Sequence, residues 1–152
     1  MLISTRKNIL KLDLGNPEAE LETLPIADIQ NVIATDLDYE SDCLFWADIE
    51  KDLIMKQCLG NGSAPEILVG ANLNSVEGMA YNHLDKILYF VDGNKKTIEF
   101  VKVDENREGR MRKTILDGKV LGKPRGITLH PTEGLLFYSD WADKAACIGS
   151  SR

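Results

Sequence analysis

The sequence predicts an all-β protein assembled from a four-stranded unit repeated along the chain, and three observations carry that prediction. The first is an aromatic-aromatic-small-Asp tetrad that occurs as Phe45-Trp46-Ala47-Asp48, Tyr89-Phe90-Val91-Asp92 and Phe137-Tyr138-Ser139-Asp140. Asp48, Asp92 and Asp140 lie 44 and 48 residues apart, a period that belongs to propeller blades or to paired helices. The second is local. Each tetrad sits in a short run of aromatic and branched residues bounded by turn formers such as Asn82-His83, Gly93-Asn94 and Pro131-Thr132, which reads as a strand. The third is that both alternating faces are apolar, with Leu44 and Trp46 on one and Phe45 and Ala47 on the other. A strand of that kind is covered on both sides, as in a blade packed between neighbouring blades of a propeller.

The elements follow in order. "LISTRKNILKLDL" aligns with "YFVDGNKKTIEFVKVD", so the chain opens inside a blade, and Ser4 or Thr5 falls near the place of the tetrad Asp. The first full unit has an inner strand in "VIATDLDY", the tetrad strand, then "DLIMKQCL" and "PEILVG". The second repeats this with "GMAYN", its tetrad, "TIEFVKV" and "RKTILDG"; the third begins with "GITLHP" and stops after "WADKAACIGSSR". Only "ADIQNVIATDLDY" approaches helical spacing. The reading is about three to four four-stranded blades, with remnants at 1–30, 31–75, 76–121 and 122–152. Two partial blades predict a piece of a longer product or a truncated gene. The uncovered faces and edges of an open arc would make the isolated chain aggregation-prone.

Composition narrows the function classes. Forty-three per cent hydrophobic and 28% charged residues fit a packed soluble protein rather than a disordered one. A net charge of −6 and a pI near 4.9 argue against nucleic-acid binding. The densest basic run, Arg107 to Lys113, is interrupted by Glu108 and Gly109 and reads as a solvated turn. No apolar stretch approaches membrane-spanning length, and Arg6, Lys7 and Lys11 break the N-terminal segment that a signal peptide would need continuous.

The tetrad at this spacing, preceded by "VEGMAYN" or "KPRGITLHP", resembles the LDL-receptor class B (YWTD) repeat, which forms six-bladed propellers. The resemblance covers nearly the whole chain. No tetrad is a literal YWTD: Trp46, Phe90 and Tyr138 stand at the Trp place, and Ala47, Val91 and Ser139 at the Thr place. The Asp recurs in all three, and Trp141 is a family-like extension after the last. The resemblance implies an extracellular or luminal part of a single-pass receptor, found at the cell surface, in endosomes and in the Golgi. It also implies protein ligands and neighbouring receptor modules as partners, with no cofactor, no nucleic acid and no direct membrane contact by this segment.

The residues that could carry chemistry are few. Recurrence once per blade favours a structural carboxylate for Asp48, Asp92 and Asp140, since a catalytic site needs different residues converging on one place; no catalytic residue and no metal site is expected. Phe45, Trp46, Tyr89, Phe90, Phe137 and Tyr138 read as inter-blade packing. Cys43 and Cys58 fall at neighbouring ends of one hairpin. They read either as buried thiols or as a disulfide, and the family resemblance favours the disulfide. Cys147 is left over, and no zinc-type spacing is present. Asn61-Gly62-Ser63 is an N-glycosylation sequon and also a favoured turn. His83 and His130 are the two histidines, the side-chain type used in pH switches, and as turn residues they read first as solvated.

Glu77 and Arg125 precede Gly78 and Gly126 at the start of the innermost strand, and Ile33 holds that place in the first full unit. In the family such residues surround the central channel, so Glu77 and Arg125 are the candidate ligand-binding pair, on a face expected to suit a basic or extended peptide. Two other functions are open on the same residues. A calcium-dependent, lactonase-like hydrolase would need a convergent Glu/Asn/Asp set, and only Glu77 and Asn82 offer one. An intracellular scaffold propeller would keep Cys43 and Cys58 reduced and Asn61 unmodified.

Overall fold

The structure, a computed structural model, describes residues 1–60, 62–104 and 109–142, and the backbone of a last strand over 145–150. Among the described residues, fourteen strands fall into four antiparallel sheets. The first holds β1 (Leu2–Ser4), β2 (Ile9–Lys11) and β3 (Glu22–Thr23). The second holds β4 (Val32–Asp38), β5 (Cys43–Asp48), β6 (Leu53–Cys58) and β7 (Glu66–Val69) in sequential order. The third repeats that pattern with β8 (Val76–Asn82), β9 (Ile87–Asp92), β10 (Thr97–Lys102) and β11 (Arg112–Leu116). The fourth holds β12 (Pro124–His130), β13 (Leu135–Asp140) and β14 (Ala145–Ser150). The stretch that approached helical spacing, "VIATDLD", is the extended strand β4, because its alternate residues pack against different neighbours.

The sheets stack as blades, and the tetrads are what they stack on. Leu44 and Trp46 of β5 face the first sheet, in a cluster with Ile9, Leu24 and Leu37. Phe45 and Ala47 face the third sheet, clustered with Tyr81, Leu88 and Phe90. The next tetrad repeats the division: Phe90 looks back to the second sheet, whereas Tyr89 and Val91 look forward to Leu136 and Tyr138 of the fourth. Phe45 and Tyr81 bring their ring centroids to 4.7 Å across that boundary. Full burial of an apolar side chain is worth about 1.5–3 kcal/mol, so a strand buried on both faces gives each blade two cohesive sides.

Inner strands meet at close range. The Tyr81 amide donates to Asp36 Oδ2 at 2.6 Å, and the Tyr81 hydroxyl donates to Asp38 Oδ2 at 3.1 Å. A Cβ on Gly78 would lie 2.7 Å from the Arg125 carbonyl oxygen, so only glycine permits this approach of β8 to β12. The inner strand of each of the last three sheets also carries an irregularity near its start. The register slips between Val32 and Ala34, between Val76 and Gly78, and between Pro124 and Ile127. Such a bulge re-aims the extra side chain, and the residues set there are Ile33, Glu77 and Arg125.

Candidate functional site: the rim at the tetrad end

Each tetrad Asp is a clamp. Asp48 Oδ2 accepts from the Gln30 amide at 2.7 Å and Oδ1 from those of Asn31 and Glu50 at 3.1 Å. Asp92 accepts from Asn74 at 2.8 Å, Ser75 at 3.1 Å and Lys95 at 3.0 Å. Asp140 accepts from Gly122 and Lys123 at 2.7 Å and from Ala142 at 2.9 Å. The first two donors are always the residues 18 and 17 positions earlier, where the chain turns into its inner strand. Burial pushes the Asp140 carboxyl up, but the three amides outweigh it and hold the group below the usual carboxylate range. Three charge-free donors per carboxylate leave little for a metal or substrate. Among the described residues no group of three or more His, Cys, Asp or Glu side chains is placed to hold a metal.

In the register of β1, Ser4 takes the tetrad Asp's place, since Ser4 opposes Ile9 as Asp48 opposes Leu53. Its hydroxyl donates to the Ile33 carbonyl at 3.3 Å, a single bond where the carboxylates accept three.

The residue after each Asp is fixed by its backbone. Ile49 donates to the Asn31 carbonyl, Gly93 to Ser75 and Trp141 to Lys123, at 2.8–3.0 Å. The same position therefore presents a half-buried Ile, no side chain, or an exposed Trp. Trp141 is 66% exposed and Val120, in the preceding loop, 61%. Lys123 Nζ lies 5.9 Å from the Trp141 ring centroid and the Arg125 guanidinium carbon 5.3 Å, both within cation–π range.

Glu77 and Arg125 come together from adjacent sheets. Arg125 Nη1 donates to Glu77 Oε1, which also accepts from Ser75 Oγ at 3.0 Å. The Arg125 and Glu77 side chains are 28% and 22% exposed, so the pair sits at a wet rim, with Arg125 bridging from Glu77 to the face of Trp141. Arg125 Nε is buried without a partner. Ile33 makes the equivalent place in the second sheet apolar. Asn82 lies at the other end of β8 from Glu77, where it bonds Asp85 and the Leu84 amide. Glu77 and Asn82 therefore do not converge, and the hydrolase geometry is not assembled.

The remaining candidates fall elsewhere. Cys43 and Cys58 oppose each other across β5 and β6 and are joined by a disulfide. Asn61 and the side chain of Cys147 lie outside the described residues. Phe45, Trp46, Tyr89, Phe90 and Tyr138 are buried and Phe137 half-buried. His83 lines a cleft of about 290 Å³ with Asp36, Asp38, Tyr39, Glu40 and Tyr81, at the opposite end of the inner strands from Trp141. His130 shares a bond with the Thr132 hydroxyl at 3.1 Å. No helix among the described residues is long and apolar enough to cross a membrane.

Two of these features were not legible beforehand. The bracing of Trp141 by Lys123 and Arg125 leaves no sequence motif, because it joins a loop residue to a bulge and a turn. Its only sequence signal is the excess aromatic after the third tetrad. The inter-blade acceptors Asp36 and Asp38 left a weaker signal, two acids within an otherwise apolar strand.

No protein-family profile matches the chain. It is 31% identical over 144 residues to low-density lipoprotein receptor-related protein 5 of Mus musculus, a match that covers 94% of this chain and 9% of that protein. It thus spans about a tenth of that relative's length. In three dimensions it is similar to a chain of the nidogen/laminin complex crystal structure, with a TM-score of 0.80 at 26% identity over 97% of this chain and 55% of that one. A chain of the mitotic checkpoint complex matches at a TM-score of 0.65 and 13% identity, covering 93% of this chain and 42% of that one, which bears on the fold alone. The tetrad repeat, the stacked blades and the first two likenesses support placing the chain among the LDL-receptor-type YWTD β-propellers.

Proposed function

We propose that the chain is a protein-interaction module from the ectodomain of an LDL-receptor-family endocytic or sorting receptor, working by non-covalent capture of protein or lipoprotein cargo. Within that group, "DLDYESDCLFWAD" with "CLGNGS" is most like the propeller of the sortilin-related receptor, which favours a role in cargo uptake and trafficking. The observation that carries the reading is the rim itself. A stack of blades buried on both sides holds an exposed tryptophan, two cations and a carboxylate at its rim. Exposed aromatics and Arg on a rigid frame are what protein interfaces use as anchors. The Cys43–Cys58 disulfide supports an oxidising compartment over an intracellular scaffold.

The test is direct binding. The chain, secreted from eukaryotic cells and immobilised, is exposed to purified laminin and to lipoprotein particles. The reading expects saturable binding to at least one of them, weakened at least about tenfold by Trp141→Ala. Binding that Trp141→Ala and Arg125→Ala leave unchanged would sink it, as would no binding by a chain shown to be folded.

A further inference from the structure

The second and third sheets carry equivalent grooves, and an arginine fills only one of them. On the side of the third sheet turned to the second, the Arg112 guanidinium lies over the Phe90 ring, donates to the Glu99 carboxylate and reaches the Ala71 and Asn72 carbonyls. Counting from the tetrads, Trp46 holds the place of Phe90 in the second sheet, Met55 that of Glu99, and Ala27 and Asp28 those of Ala71 and Asn72. Glu99 opposes Thr114, two residues past Arg112, and Met55 opposes Ile67, two residues past Pro65. Pro65 therefore stands where the arginine would be. The space that Arg112 fills in one blade is an open cavity of about 390 Å³ in the other, lined by Ala27, Trp46, Leu53, Met55, Pro65 and Ile67.

The open groove is also one cation short. The filled one sets Asp92 and Glu99 against Lys95 and Arg112. The open one sets Asp28 and Asp48 against Lys51 alone. Lys51 pairs with Asp28, whereas Asp48 accepts from three neutral amides, which leave its charge unmatched. Lys56 and Glu66, the other ions of β6 and β7, pair with each other and face the opposite side of the sheet from Met55 and Ile67. Gln57 shares the side of Met55, and its Oε1 is buried with no donor among the described residues.

We infer that this groove takes an arginine side chain of a partner protein, placed as Arg112 is placed in the next blade. The guanidinium lies against Trp46 and bonds the Asp28 carboxylate and the Ala27 carbonyl, and its stem runs along Leu53, Met55 and Pro65. Trp is the strongest of the aromatic partners for a cation. The apolar walls suit the methylene stem, and the planar fork of donors suits a carboxylate beside a carbonyl. The net charge of −6 draws a basic segment toward the chain. The site lies between the first and second sheets, apart from the Trp141 rim on the fourth, and does not require that rim to be a ligand face.

The experiment titrates the isotope-labelled, folded chain with the peptide acetyl-GLRLG-amide, and with versions in which citrulline or norleucine replaces the arginine. Heteronuclear NMR at low salt reads the Trp46 indole N–H and the amides of Ala27, Asp28 and Lys51. The arginine peptide should shift these signals and bind at least about tenfold tighter than the citrulline one, the worth of one charge-assisted contact. Asp28→Asn installs the neutral residue found at Asn72. Both positions have positive φ, 63° and 55°, which Asn tolerates, and the preference for arginine should fall to about threefold or less. Pro65→Arg, at an exposed position, should fill the groove from within and abolish the shifts. The variants' own spectra report that they are folded. Equal binding of the arginine and citrulline peptides, or tighter binding of the norleucine one, overturns the inference. So does an arginine preference that Asp28→Asn leaves intact, undiminished binding by a folded Pro65→Arg chain, or no shift of the Trp46 indole at millimolar peptide.

Discussion

Arg112 Nε donates to Glu99 Oε2 at 2.8 Å, with the Glu99 side chain only 4% exposed. The same guanidinium donates to the carbonyls of Ala71 and Asn72, in the loop between the second and third sheets, and lies 5.4 Å above the Phe90 ring. Glu99 accepts as well from Lys95 at 3.1 Å and Thr97 at 2.9 Å. One buried carboxylate therefore fixes the arginine that ties a blade to the linker from the preceding one. Removing one partner of a buried pair costs about 3–5 kcal/mol. Lys95 and Thr97 remain in Arg112→Ala, so we expect a loss of about 2 kcal/mol, read as a shift in urea midpoint.

The pH dependence of stability follows from the same group. Burial pushes the Glu99 carboxyl up, but hydrogen bonds from Arg112, Thr97 and Lys95 outweigh it and hold its pKa below the ordinary 4.5. Asp38 is held below its ordinary value in the same way, against burial, by Ser41, the Glu40 amide and Tyr81. A carboxylate whose folded pKa is depressed stabilises above its unfolded pKa, and the contribution is lost as pH falls through the folded value. Asp36 opposes them, because burial raises its pKa despite the Tyr81 and Leu37 amides. Urea melts should therefore show stability flat near neutrality and falling below about pH 4.5. Glu99→Gln should be less stable at neutral pH but show a shallower acid decline.

The tetrad clamp gives a local prediction. Asp92→Ala leaves the amides of Asn74, Ser75 and Lys95 without their acceptor. At about 1–3 kcal/mol for a buried unsatisfied donor, and with partial access for water, we expect a loss of about 3 kcal/mol. Asp92→Asn, which keeps one acceptor oxygen, should cost about half as much. Both are measured by urea denaturation.

The disulfide contributes through the unfolded chain. Its partners are 15 residues apart in sequence, and closing a loop of that size is worth about 3 kcal/mol in the chain-entropy account. The Cys43→Ser, Cys58→Ser double variant should lose about that much. Mass spectrometry of the secreted chain should show the bonded pair before reduction and two added hydrogens after it.

Much of the fold was legible because a blade buried on two sides cannot use the usual apolar/polar alternation. "LFWAD" and "LYFVD" expose that constraint directly, and the recurrent Asp marks where each strand ends. The site was legible only in part. Counting back from each tetrad located Ile33, Glu77 and Arg125 at one equivalent place, since every sheet after the first bulges there. What the counting did not supply was the rest of their company, Trp141 beside Arg125. Glu77 meets Arg125 from the next blade, 48 positions away, and Arg112 reaches back 41 and 40 positions to Ala71 and Asn72. Contacts of that kind depend on blade-to-blade stacking, which leaves no periodic trace.

The central claim is that the recurrent Asp is a structural clamp holding each blade's inner strand. Native-state hydrogen exchange on Asp92→Asn, compared with the wild type, tests it most directly. The account predicts faster exchange at Asn74, Ser75 and Lys95, with the corresponding amides of the other two clamps, Gln30, Asn31, Gly122 and Lys123, unchanged. Unaltered protection at Asn74 and Ser75 in a folded Asp92→Asn chain would contradict it.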